Sequence, residues 1–233
     1  MNICHLIGQT EIPDAFGELA PPMQIAIFLG GMSFATAALV CLTAFTRIII
    51  VLSFVRRALA AQEIPPNQVI LGLSFFLTLF VMAPTMEQIN VNGIQPYLEA
   101  QKSEETKEDF KVMDLWRVAS DEIRVFMTQH TRETDLLLFM DLSQTEVTSV
   151  ETIPLKILIP AFIISELKTA FIMGFCIYIP FLLIDLVIST VLMSLGMMMM
   201  PPVIVSTPCK LLLFILVDGW QLISRALVNS FLV

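Results

Sequence analysis

The sequence predicts an all-α integral membrane protein, built of kinked helical hairpins with a small extramembrane helical lobe. Three observations lead there. Hydrophobic residues fill 56% of 233 positions against 15% charged, with a mean hydropathy of +0.81, beyond the roughly half apolar and quarter charged usage of soluble domains. Several apolar runs approach or exceed the ~20 residues that cross the hydrocarbon core of a bilayer. Between them lies one polar stretch with helical periodicity.

Residues 1–22 form an acidic tail with Glu11, Asp14 and Glu18 and no Lys or Arg, so no cleavable signal peptide with a basic leader is visible. Residues 23–86 read as a first helical hairpin. Its first arm is apolar from Met23 to Phe45 and passes Arg47 into Ile48–Leu52 before Arg56 and Arg57. Pro65-Pro66-Asn67 makes a turn. The second arm, Val69–Met86, carries no charge over 18 residues and closes at Ala83-Pro84.

Residues 87–152 read as a polar helical lobe. The span from Glu87 to Glu151 holds 14 Asp/Glu and 6 Lys/Arg, a difference of −8 that equals the net charge of the whole chain. Asn90, Asn92 and Gly93 signal a loop, while Val112, Trp116, Ala119, Ile123 and Phe126 recur at helical spacing. Residues 153–233 read as a second hairpin, interrupted by Pro154, Pro160, Pro180, Pro201, Pro202 and Pro208 and containing a methionine loop. Arg56 and Arg57 place the first hairpin's loop on the cytoplasmic side, which puts the tail and the lobe in the periplasm.

Arg47, Glu166, Lys168, Asp185, Lys210 and Asp218 give three bases and three acids inside apolar sequence. Ionisable groups at membrane depth cost ~2.5–3.5 kcal/mol each on insertion scales, so they find partners or water. Balanced signs point to structural or intersubunit ion pairs; a proton relay is the functional alternative. Glu166 and Lys168, two residues apart, face different sides of a helix and are expected to pair with other helices.

Met197-Met198-Met199-Met200 lies between Gly196 and Pro201-Pro202, residues that break helices on either side. Methionine is flexible and polarizable. The loop therefore fits either a packed core or a deformable apolar constriction.

Enzymatic readings have little support. No HExxH, GxSxG or GxGxxG motif occurs, His130 reads as a surface histidine, and Asp185 and Asp218 lack the GxGD context of an intramembrane aspartyl pair. Cys4, Cys41, Cys176 and Cys209 lie far apart without metal-ligand spacing. No basic run suits nucleic acid. No catalytic residue, cofactor or metal is expected.

Several blocks carry a resemblance. FTRIIIVL from Phe45, PPNQVILGL from Pro65, PAFIISELKTAF from Pro160, PFLLIDLV from Pro180, GMMMMPP from Gly196, KLLLF from Lys210 and VDGW from Val217 together resemble the FliP family. They cover the chain from about Met32 to Arg225. The resemblance implies a non-enzymatic subunit of a type III protein export gate in the bacterial inner membrane, at the flagellar basal body. It implies a ring of several copies, a pentamer, with FliQ and FliR around a pore, FlhB and FlhA nearby, and unfolded flagellar proteins as cargo. It also implies that Met197, Met198, Met199 and Met200 form a gasket closing that pore. Injectisome homologues share most of the blocks. Pro65–Gln68 and FMTQHTRETDLLLF from Phe126 look more flagellar. A small-solute secondary transporter would show similar broken helices and midplane charges, but it predicts an internal repeat, and none is found.

Overall fold

A computed structural model of the chain describes residues 20–59, 65–102, 112–144, 153–197 and 200–232. The described residues are helical, with no strand among them: α1 (Pro21–Leu42), α2 (Phe45–Ala58), α3 (Asn67–Ile89), a π-helical turn (Asn90–Ile94), α4 (Gln95–Lys102), α5 (Val112–His130), α6 (Glu133–Ser143), α7 (Leu155–Ser194), α8 (Pro202–Leu216) and α9 (Gly219–Asn229). The chain divides into two compact units, Met1–Leu39 and Val40–Val233. Of the expected tail, residues 1–22, the first 19 fall outside the described residues, and Pro21 and Pro22 open α1.

Three helices, Pro21–Leu42, Asn67–Glu99 and Leu155–Ser194, are long and apolar enough to cross a membrane; the pair α8 and α9, bent by 63°, makes a fourth if counted as one span. The protein is an all-α membrane protein. At 1.5 Å per residue, the 40 residues of α7 extend about 60 Å, roughly twice the hydrocarbon thickness.

Local chemistry moves several boundaries away from the hydropathy reading. The first apolar run is not one helix: it breaks after Leu42, where the Thr43 hydroxyl accepts the Phe45 amide at 3.3 Å and the Thr46 hydroxyl donates to the Val40 carbonyl at 2.6 Å. Side chains that satisfy backbone groups in this way offer the chain an alternative to continued helix. The prolines interrupt less than expected. α3 runs through Pro84, and Asn90, Asn92 and Gly93 form a helical π turn rather than a loop. α7 runs through Pro160 and Pro180; each removes one backbone donor, a loss that neighbouring packing tolerates in membrane helices.

The core of the second unit is α2 laid against α7, with α3, α5 and α6 around them. Ile48, Val51, Leu52 and Val55 line one face of α2 and meet Ile157, Leu158, Phe162 and Ala170 of α7, all buried. Close approach depends on Gly174, where the Phe54 ring lies over the glycine and packs edge-on to Phe171 at 5.7 Å. An added Cβ would sit 2.6 Å from Phe54 Cδ2 and 3.1 Å from its Cβ, which swinging the ring alone does not relieve. Gly174→Ala is expected to destabilise the protein by about 1–3 kcal/mol, read as a lower thermal unfolding midpoint in detergent.

The expected apolar face of α5 is only partly inside. Phe126 is buried and Ile123 half-buried, but Trp116 is exposed, because Leu115 and Val118 are the residues that reach Gly93. Much of the outer surface of α3 and α7 is apolar and uncovered, including Phe76, Phe80, Phe171, Phe175 and Leu186.

Candidate functional site

Arg47 lies in α2 and Glu166 in α7, and both are buried, Glu166 completely. The guanidinium grips the carboxylate with two hydrogen bonds, Nε to Oε2 at 2.7 Å and Nη2 to Oε1. Its remaining nitrogen, Nη1, donates to the Ser230 carbonyl and hydroxyl, both at 3.0 Å. The Phe231 ring covers the guanidinium at 3.8 Å. A charge removed from water is thus met by an opposite charge, by neutral acceptors and by a π face.

His130, expected at the surface, is instead half-buried beside this cluster. Its Nδ1 contacts the Phe126 carbonyl at 2.8 Å and its Nε2 the Phe231 carbonyl at 3.3 Å. A neighbouring set of groups ties α6 to α7. The Ser165 hydroxyl donates to Asp135 Oδ2 at 2.8 Å and accepts the Arg132 amide at 3.0 Å, while the Arg132 guanidinium donates to Thr169 Oγ1 at 3.1 Å. Sequence reading missed Ser165, Asp135, Ser230 and Phe231. Asp135 and Ser165 have a usable signal, polar groups at helical spacing within apolar faces; the Ser230 carbonyl has none.

A second ion pair joins α7 to α8. The buried Lys210 donates from Nζ to Asp185 Oδ2 at 2.6 Å. The other oxygen, Oδ1, is shielded from solvent without a hydrogen-bond partner among the described residues. Asp185 also borders a groove of about 460 Å³ lined by Leu182, Leu186, Ser189, Met193 and Val203. Of the six expected charges, Lys168 and Asp218 are exposed and form no ion pair among the described residues. Asp218 takes the left-handed conformation, φ 50°, at the corner between α8 and α9. Asp185 and Asp218 therefore do not form a dyad; Lys210 occupies the first and the corner holds the second.

The methionine loop closes the α7–α8 hairpin. Gly196 has φ 75°, its amide donates to the Met193 carbonyl at 3.1 Å, and the Met197 amide reaches back to the Leu192 carbonyl at 3.1 Å. This pair of bonds is the Schellman motif, which favours glycine at the left-handed position. Pro201 then precedes α8 and Pro202 starts it, where a missing N–H costs nothing. Met197 and Met200 are each 42% exposed; Met198 and Met199 lie outside the described residues. Gly196→Ala is expected to cost about 1–2 kcal/mol, since a Cβ is strained in the left-handed region. The strain is local, so the readout is a lowered unfolding midpoint with retained helicity.

Among the described residues, no group of three or more His, Cys, Asp or Glu is arranged to hold a metal ion.

A sequence model of the FliP family matches residues 28–227. The flagellar biosynthetic protein FliP of Bacillus subtilis (strain 168) is 49% identical over 215 residues, covering 92% of this chain and 94% of that protein. The protein of the same name from Pectobacterium carotovorum is 48% identical over 210 residues, 90% of this chain and 78% of its own length. That of Aquifex aeolicus (strain VF5) is 43% identical over 228 residues, 97% and 92% respectively. The matched span takes in both ion pairs, the methionine loop and the helices that carry them, and the chain belongs to the FliP family of membrane proteins for flagellar biosynthesis and export.

Proposed function

We propose that the chain is a subunit of the type III export gate of the bacterial inner membrane, at the base of the flagellum. Several copies form a ring, with FliQ and FliR, around a pore for unfolded flagellar proteins, and FlhB and FlhA lie nearby. It catalyses no reaction. The observation that carries this reading is the methionine loop: two helix-breaking devices, Gly196 and Pro201-Pro202, hold exposed apolar side chains at the tip of a hairpin. Contributed by several copies around an axis, such tips make a soft apolar constriction. In this arrangement Met197, Met198, Met199 and Met200 are the gasket. Arg47, Glu166, Asp185 and Lys210 brace the hairpin behind it, while Lys168 and Asp218 are left to face neighbours.

The uncovered apolar surface of α3 and α7 supports an assembly, because a chain that leaves so many large side chains outside needs protein as well as lipid against it. The similarity to flagellar biosynthetic proteins favours a flagellar gate over an injectisome one. Extraction in mild detergent followed by identification of co-purifying proteins tests the proposal. Several copies of this chain are expected with two small helical membrane proteins, FliQ and FliR. A monodisperse, folded monomer with no partner would overturn it.

A further inference from the structure

Several exposed charges are not taken up by the pairing described above, Asp218 among them, and two of these stand on apolar helix faces. Lys168 on α7 and Glu133 at the start of α6 are both exposed, and neither side chain forms an ion pair or hydrogen bond among the described residues. Each stands on an apolar face. Lys168 lies in the exposed stripe of Ile164, Phe171, Ile172 and Phe175, at helical spacing along one side of α7, and Glu133 heads the outer face of α6 that exposes Leu137, Leu138 and Leu142.

The two charges also share a height along α7. The Arg132 amide is bonded to the Ser165 hydroxyl and its guanidinium to Thr169, so Glu133, the next residue, begins level with the turn that carries Lys168. A ring with rotational symmetry brings together different faces of neighbouring copies at equal height. In such a ring every copy offers a cation on one apolar face and an anion on another, and both find partners at once. We infer that Lys168 of one copy pairs with Glu133 of the next, with the exposed faces of α7 and α6 closing around the pair. This rests on the ring of the preceding subsection and names the surfaces that build it. Lipid against the α7 stripe would leave the lysine without its counter-charge and Glu133 facing nothing complementary.

The test uses the full chain in its own membranes. Lys168→Glu and Glu133→Lys each set like charges against one another, a juxtaposition costly enough to lower the multi-copy complex on native gels by about tenfold or more. Combining them in one chain is expected to restore assembly to within about twofold of the unmodified chain. In a background with the native cysteines changed to serine, two differently tagged copies, one Lys168→Cys and one Glu133→Cys, are expected to be joined by oxidation. If the unmodified chain runs as a single copy, the ring falls and the pairing with it. If it runs as a multi-copy complex that the single reversals leave unchanged, or the tagged copies are not joined, the pairing alone is overturned, as it would be were lipid or another protein to cover the stripe.

Discussion

Glu166→Ala is expected to destabilise the protein by about 3–5 kcal/mol, the usual effect of removing one partner from a buried ion pair. Both carboxylate oxygens are engaged by Arg47, and the side chain is completely buried. Deleting it strands a guanidinium that Ser230 only partly satisfies. Against a total stability of about 5–15 kcal/mol the loss is severe, so the variant should fall to a low steady-state level and fail to support motility. The complementary double variant, Arg47→Leu with Glu166→Leu, should recover a good part of the level, because an apolar pair of similar volume avoids the desolvation of both charges. Immunoblots of membranes, together with thermal unfolding in detergent, separate the two outcomes. A Glu166→Ala chain that accumulates, assembles and exports normally would show that the pair holds nothing together.

Replacing Met198, Met199 and Met200 together by alanine is expected to leave the complex assembled while making the membrane leaky to small ions and solutes. Apolar surface buried among loops at an axis lowers free energy by roughly 25 cal/mol per Å²; methionines gain this without a rigid fit, and a passing chain offsets part of the loss with its own apolar groups. Alanine removes most of that surface but keeps Gly196 and Pro201-Pro202, so the loop should still form. Conductance and solute-influx measurements on cells carrying the triple variant decide the matter. Unchanged leak in an assembled complex would return the methionines to a packing role.

The helical class and the helix breaks beside the methionine run were legible because each rests on local chemistry. Glycine at a left-handed position and proline at a helix start are readable from residue type alone, and Gly196 and Pro202 stand where that reading puts them. Other features depended on partners distant in the chain. That Arg47 meets Glu166 is a matter of how α2 crosses α7, and its second partner is partly a backbone carbonyl, which residue identity does not mark. The break after Leu42 turned on two threonine hydroxyls within an apolar run that hydropathy reads as continuous. Pro84, Pro160 and Pro180 suggested interruptions, yet tertiary packing carried the helices through them. Trp116 followed the helical period but not the buried side, which was decided by the approach of α5 to Gly93.

The Ser230 contact has a consequence for biosynthesis. Ser230 is 183 residues downstream of Arg47. At ~5–20 residues per second, the guanidinium waits roughly 10–40 s for its last acceptors. Glu166 itself arrives 119 residues later than Arg47. For about half of translation, therefore, a positive charge sits in an otherwise apolar segment before its carboxylate partner exists. Water, a lipid headgroup or the insertion machinery must hold α2 during that interval, and its docking against α7 belongs among the last events of folding rather than the first.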